Sequence, residues 1–85
     1  RYAMLFLDLK IGSGITLAGM MRITVCAINA PCVTVRMGNT EEILTVGEER
    51  RFGALRVVLK SIAATTARIG FETDSTIALV PHNWP

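Results

Sequence analysis

The sequence repeats one pattern of glycine, arginine and aliphatic residues after an interval of about 34 residues. The first copy extends from Gly12 to Gly38, and the second extends from Gly47 to Gly70. Each copy holds only three or four short strands, which are too few to enclose a core. The repeat therefore predicts two similar halves, residues 4–39 and 42–80, that close on each other or on neighbouring chains.

The length and composition predict one domain, residues 1–85, that binds other protein chains. Of its 85 residues, 51% are hydrophobic and only 19% are charged. A domain of this size has little stability to spare, yet this chain is more apolar than a small free monomer requires. The surplus of apolar residues predicts protein partners, either further copies in a homo-oligomer or other components of a larger assembly.

Charge and hydropathy argue against several classes of protein. The net charge is +2, and the basic residues are scattered among seven acidic ones. The charge therefore gives little support to a surface that binds the phosphates of a nucleic acid. The longest run without charge, residues 23–35, contains Pro31 and is too short to span a bilayer. No signal peptide is visible, and we expect a virion or cytoplasmic protein without membrane contact.

The two cysteines, Cys26 and Cys32, are expected to be reduced and partly buried. A turn at residues 29–30 would place Cys26 opposite Val33, which leaves the two sulfur atoms out of register for a disulfide. Two cysteines and the distant His82 are too few ligands for a metal site. We therefore expect no metal and no other cofactor.

Alternation of apolar and polar residues indicates an all-β fold. Four aliphatic residues near the start would share one face of a first strand: Leu5, Leu7, Leu9 and Ile11. Further strands are predicted over residues 21–28, 32–37, 43–46, 55–62, 66–71 and 76–80. A helix over 40–54 is the alternative for that segment, although Gly47 and Gly53 disfavour it. Seven or eight short strands predict a small barrel or sandwich built from the two halves.

The second copy resembles the carbon storage regulator family of small translational repressors. The resemblance rests on Val46-Gly47-Glu48, Phe52-Gly53, residues 55–59, Ile62 and Ala67-Arg68-Ile69-Gly70, and the first copy matches the same pattern more loosely. Members of that family fold as five-stranded subunits that dimerise by exchanging strands into two joined sheets. Their RNA sites pair the first strand of one subunit with the last strand of the other. The resemblance implies that a tandem copy could build a similar object, in whole or part, within one chain.

The positions that would contact RNA depart from the family pattern. The family's first strand carries L-T-R-R or L-T-R-K, whereas this chain has Leu7-Asp8-Leu9-Lys10. The family's last strand reads V-H-R-E, whereas this chain has Leu79-Val80-Pro81-His82. Leucine cannot replace the bidentate contacts of a guanidinium group. We therefore expect that the scaffold is kept and that the RNA site is not.

Three basic residues are the candidates for RNA contacts in the alternative interpretation: Lys10, Arg36 and Arg68. Arg36 and Arg68 occupy equivalent places on outward strand faces. They could instead hold neighbouring strands through ion pairs with Glu41, Glu42 or Glu72.

Two segments are candidates for protein contacts. The segment Glu48-Glu49-Arg50-Arg51 is expected to be a solvated loop, in which Arg50 and Arg51 could dock on a complementary partner. The arm 81–85 carries the only histidine and the only tryptophan, His82 and Trp84. Tryptophan is enriched at interface centres, so the arm is expected to dock on a partner; folding back onto the domain and base stacking are the alternatives.

No arrangement of nucleophile, base and orienting group is visible, so we expect no enzyme activity. The sequence favours a non-enzymatic structural or interaction module in a larger assembly, such as a phage capsid decoration (cement) protein. A translational regulator that binds RNA is the alternative. A β-barrel that binds a small molecule is a third candidate, although 85 residues leave little room for a cavity.

Overall fold

The computed structural model describes residues 4–17, 21–73 and 79–83, which form nine β-strands. The strands are β1 (Leu5–Leu9), β2 (Ser13–Leu17), β3 (Met21–Asn29), β4 (Cys32–Met37), β5 (Thr40–Thr45), β6 (Glu49–Phe52), β7 (Leu55–Ala63), β8 (Thr66–Glu72) and β9 (Leu79–Asn83). No helix occurs among the described residues. The prediction of an all-β fold is confirmed.

The strands form two antiparallel sheets. The four-stranded sheet has the order β1-β8-β7-β6, and the five-stranded sheet has the order β5-β4-β3-β2-β9. The chain passes between the sheets three times, from β1 to β2, from β5 to β6 and from β8 to β9, and the first two passages are corners within the described residues. At these corners the amide groups of Gly12 and Gly47 donate to the carbonyl oxygens of Val25 at 2.8 Å and Leu59 at 2.7 Å. Both glycines have positive φ angles, 95° and 89°, that other residues adopt at a cost.

The core lies between the two sheets and consists mainly of apolar side chains from alternate strand residues. The largest fully buried side chains are Phe71, Ile15, Ile23, Leu44, Leu55, Leu59 and Ile69. Because burial of each such side chain contributes about 1.5–3 kcal/mol, contacts between the sheets are the main source of stability. Of the four aliphatic residues predicted to share one face of the first strand, Leu9 is buried and Leu7 packs against the core. The other two, Leu5 and Ile11, are 36% and 58% exposed, and Ile11 belongs to the turn that follows β1.

Several expected boundaries are wrong. The segment predicted as a polar loop contains β6, and the glycine-rich segment after Lys10 leads into β2. The alternative helix over 40–54 is absent, because β5 and β6 occupy most of that segment. Pro81 does not end the last strand but lies within β9, opposite Ile15. An edge strand tolerates proline because one of its two sides needs no donor.

The predicted register of the β3–β4 hairpin is also wrong. The two-residue turn is Ala30-Pro31, and Val33 lies opposite Ile28 rather than opposite Cys26. A β-bulge between Val25 and Ala27 adds one residue to β3 and turns Ile28 toward the core. Cys26 lies in this bulge, and both cysteines are free and partly buried, as expected.

Strands from the two predicted halves, residues 4–39 and 42–80, pair with each other in both sheets. Strand β1 pairs with β8, and β4 pairs with β5, so each half is joined to the other in both sheets. The β7–β8 pair has a register shift between Leu59 and Ser61, which is 34 positions after the one in β3–β4 (59 − 25 and 61 − 27). The similarity of the two halves stays a prediction. In the described part of the chain, no helix has the length and apolar character needed to cross a membrane.

Candidate functional site

A cleft of about 340 Å³ lies where the first strand approaches the last one. Its lining comes mainly from two segments, Leu7–Lys10 of β1 and its turn, and Pro81 with His82 of β9; Ser13 and Thr66 complete it. Strands β1 and β9 belong to different sheets. They come together because β1 turns into β2, and β2 pairs with β9 from Ser13 opposite Asn83 to Leu17 opposite Leu79.

The side chain of His82 is positioned by a glycine on the neighbouring strand. Gly14 lies opposite both His82 and Thr24, between β9 and β3. Because Gly14 has no side chain, the His82 ring can cross β2, and its Nε2 atom lies 3.3 Å from the carbonyl oxygen of Ile23. A carbonyl oxygen only accepts, so Nε2 carries the proton in this contact. The Nδ1 atom is buried and has no hydrogen-bond partner among the described residues.

The charges of the cleft are distributed unequally. Asp8 is held by Arg68, whose Nη1 atom lies 3.1 Å from both carboxylate oxygens. Lys10 forms no ion pair within the described residues and is exposed. Lys10 therefore supplies the available positive charge, while the negative charge of Asp8 is already compensated.

A second cleft of about 310 Å³ adjoins the first one, because Lys10 lines both. The second cleft is formed by Lys10 with Ile11, Ile28, Ala64 and Thr65. We refer to the lining residues of the two clefts together as the Lys10 surface. This surface combines apolar side chains with a cation that has no ion pair to another described residue, a composition that suits contact with a protein better than with a polyanion.

The structure places Arg50 in an internal ion-pair cluster. Its guanidinium group contacts Glu42 at 2.8 Å and Glu48 at 2.6 Å, and it donates to the carbonyl oxygen of Ile43 at 2.9 Å. The Glu48 carboxylate raises the pKa of Arg50. The pKa of Glu48 is lowered, first by a hydrogen bond from the backbone amide of Thr45 and then by Arg50. The Arg50 side chain thus connects β5 to β6.

The other predicted contact residues have different surroundings. Arg51 is exposed and forms no ion pair in the described part of the chain. Arg36 pairs with Glu41 at 2.8 Å, as the ion-pair alternative predicted, and this carboxylate raises the pKa of Arg36. Arg68 also pairs with an acid, but the acid is Asp8 rather than a glutamate. Trp84 lies outside the described residues.

The structure therefore brings together Lys10 and His82, but not Arg50, Arg51 or Arg36, which lie elsewhere. The sequence analysis missed the roles of Gly14 and Ser13 in bringing β9 against β2. The signal for them was present in Gly12-Ser13-Gly14, where a glycine within a strand marks a close approach of another segment.

Three or more metal-ligating side chains do not cluster anywhere among residues 4–17, 21–73 and 79–83. Comparisons of the chain with protein-family models, with curated proteins and with solved structures gave no match.

Proposed function

We propose that this chain is a non-enzymatic β-module that binds a protein partner within a larger assembly, and that the Lys10 surface makes the contact. The observation that carries the proposal is the composition of this surface, in which apolar side chains surround a cation that no described acid pairs. A partner would place an acidic group against Lys10 and cover the aliphatic side chains around it.

The distribution of exposed aliphatic residues supports an interaction module. Ile11, Ile43 and Val80 are 58%, 60% and 55% exposed, and they lie in a turn and on the two edge strands of the five-stranded sheet. Such side chains are available to neighbours on several sides. A subunit that decorates a phage capsid needs contacts of this kind, which is why a virion component is our first candidate for the assembly; a cytoplasmic complex is the other.

The order of the strands supports a scaffold like that of the carbon storage regulator family, formed here by one chain. Strands β1 and β8 join the two halves in one sheet, β4 and β5 join them in the other, and β9 pairs with β2 of the first half. In the continuous described range 21–73, the first half has no counterpart of β9, because β4 ends at Met37 and β5 begins at Thr40. A chain of this kind would have one cleft between a first and a last strand rather than two.

An RNA-binding regulator is the second candidate, because β1 and β9 line one cleft where the resemblance places RNA. The residues that line the cleft argue against RNA binding. Leu9 occupies a position at which the family has arginine, and its side chain is only 6% exposed because it belongs to the core. Asp8 adds a carboxylate, and Pro81 supplies no charge. One lysine cannot provide the several phosphate contacts on which RNA affinity depends.

The experiment compares Lys10→Glu with Lys60→Glu, the same charge change on the outer face of the four-stranded sheet. Each variant is purified from the source organism, and its native mass and bound polypeptides are measured. We expect the unaltered chain and Lys60→Glu to retain the same polypeptide in fixed stoichiometry and Lys10→Glu to lose it. Equal retention by all three would contradict the proposal.

A gel-shift titration against RNA hairpins with a GGA loop separates the two candidates. We expect no sequence-dependent complex below micromolar RNA concentration at physiological salt. Tight, sequence-dependent binding that Lys10→Glu abolishes would establish the RNA-binding alternative instead.

Residues 81–83 of the predicted arm belong to β9, which pairs with β2 and ends at Asn83 opposite Ser13, a residue of the cleft. We propose that Trp84, which follows β9 in the sequence, contributes to the same contact. Replacing Trp84 with alanine should leave the β-sheet circular dichroism signal unchanged and weaken assembly by about 2 kcal/mol if Trp84 is a binding hot spot. Loss of folding by the isolated variant would assign Trp84 to the domain interior, and unchanged assembly would remove the arm from the interface.

A further inference from the structure

The four edge strands of the two sheets differ in how their outer sides are protected. On β5, the outward carbonyl group of Ile43 accepts from Arg50 at 2.9 Å, and the amide group of Thr45 donates to Glu48 at 2.9 Å. Strand β9 contains Pro81, which has no amide proton, and residues 7–9 of β1 line the cleft that Pro81 and His82 also line. These are familiar ways of preventing one sheet edge from pairing with another.

The outer side of β6 has neither a proline nor a described side-chain hydrogen bond to its outward backbone groups, so that only its four-residue length and its charged side chains limit pairing. The amide group of Leu59 donates to the carbonyl oxygen of Glu48 at 3.1 Å, so the backbone of Glu48 faces β7. Backbone groups of a strand alternate in direction, which turns those of Arg50 toward β7 and those of Glu49 and Arg51 away from it. No described hydrogen bond engages the outward backbone groups of Glu49 or Arg51.

We propose that the β6 edge pairs antiparallel with the β6 edge of a second copy, joining two four-stranded sheets into one. The charges of β6 indicate that its pairing partner is β6 of a second copy. If the two-fold axis passes beside Arg50, Glu49 of each copy lies opposite Arg51 of the other, and the outward backbone groups can form about four hydrogen bonds. Each opposite pair then joins Arg51, which has no ion pair among the described residues of its own chain, to Glu49, whose carboxylate also contacts Arg56 of its own chain at 3.1 Å.

The central residues of this pairing do not oppose it. Arg50 of each copy would lie at the axis, but its charge is already compensated by Glu42 and Glu48. The four residues of β6 make a small interface, so the dimer is expected to be weak and to form at high protein concentration. This surface lies apart from the Lys10 surface, and the inference goes beyond the proposed function.

The test uses charge reversal at the two paired positions. Arg51→Glu places two glutamates opposite each other in both pairs and should raise the dissociation constant of the dimer by about tenfold or more. The variant should still fold, because residue 51 lies opposite Arg56 on β7 and the change replaces two facing cations with an ion pair. Glu49→Arg should impair the dimer in the same way.

The decisive measurement is complementation. A mixture of Arg51→Glu and Glu49→Arg restores opposite charges in both pairs of a mixed dimer, and so does the double variant with itself. Sedimentation velocity on the 85-residue chain, up to about millimolar concentration, should show mass moving from 9.3 kDa toward twice that value for the unaltered chain, the mixture and the double variant.

The single variants should remain monomeric over the same range, and Lys10→Glu should dimerise like the unaltered chain, which separates this test from that of the proposed function. Circular dichroism confirms that every variant is folded. An unaltered chain that stays monomeric at the highest concentration, a single variant that dimerises normally, or a mixture that does not associate would each overturn the proposal.

Discussion

Replacing Gly14 with alanine tests whether the close approach of β2 to β3 holds this fold together. A Cβ atom at Gly14 would lie 1.7 Å from the carbonyl oxygen of Ile23 and 3.0 Å from the Cα atom of Thr24. Both are backbone atoms of β3, so no rotation of a side chain relieves the clash. The two strands must move apart where Gly14 pairs with Thr24.

The size of the effect follows from this displacement. A normal carbon–oxygen contact is about 3.3 Å, so the strands must separate by roughly 1.6 Å, which is enough to break the adjacent backbone hydrogen bonds. Two such bonds contribute about 0.5–1.5 kcal/mol each, and partial exposure of the neighbouring Ile15 adds about 1 kcal/mol, a part of the roughly 1.5–3 kcal/mol that full burial contributes. We expect a loss of about 2–4 kcal/mol, a large fraction of the roughly 4–13 kcal/mol that a domain of this length possesses.

Urea denaturation at 25 °C, followed by circular dichroism, measures the free energy of unfolding. The matched control is Gly53→Ala, since Gly53 has a φ angle of +61° but no atom lies within 4 Å of the position that its added Cβ atom would take. The control should cost only about 1–2 kcal/mol, the penalty for a left-handed backbone. If Gly14→Ala is destabilised no more than Gly53→Ala, β2 does not pair with β3 as described.

Two further predictions concern the ion-pair cluster and the repeat. The fold lowers the pKa of Glu48 from its ordinary value, mainly through the hydrogen bond from the Thr45 amide, so the charge of Glu48 stabilises the fold at higher pH and this contribution is lost as the pH falls through the lowered pKa. Glu48→Gln should therefore lose less stability than the unaltered chain when urea titrations are carried below about pH 5. An experimental structure should superpose residues 12–38 on 47–70, and unrelated chain paths for the two segments would show that the repeat is accidental.

Strands whose core residues alternate over their full length were predictable from the sequence. In β4, Val33, Val35 and Met37 alternate with Thr34 and Arg36, and the structure buries the first three as expected. Long strands of this kind carry several apolar residues on one face, so a wrong register would expose all of them. The burial of one face thus fixes the register of the strand and also produces the alternating pattern from which the strand can be predicted.

Strands β2 and β6 were not predicted, because their sequences lack a clear alternation of apolar and polar residues. Strand β6 is Glu-Arg-Arg-Phe, and its formation depends on the ladder with β7 and on the contacts of Arg50 with β5. The β3 bulge was also invisible, because an added residue at Cys26 does not interrupt the apolar pattern. Each of these features depends on backbone pairing with a neighbouring strand, which the periodicity of the side chains does not report.

The two sheets differ because β9 occurs only once in the described part of the chain. Strands β2 and β6 have corresponding places after the two corners, yet β9 covers β2 alone. Where β9 is present, it brings Pro81 and His82 beside β1 and creates the cleft around Lys10. Beside β6 no described strand takes that place, and its backbone stays open on its outer side. Both proposals depend on this one difference, because β2 is covered by β9 beside a lined cleft whereas β6 leaves an unpaired edge.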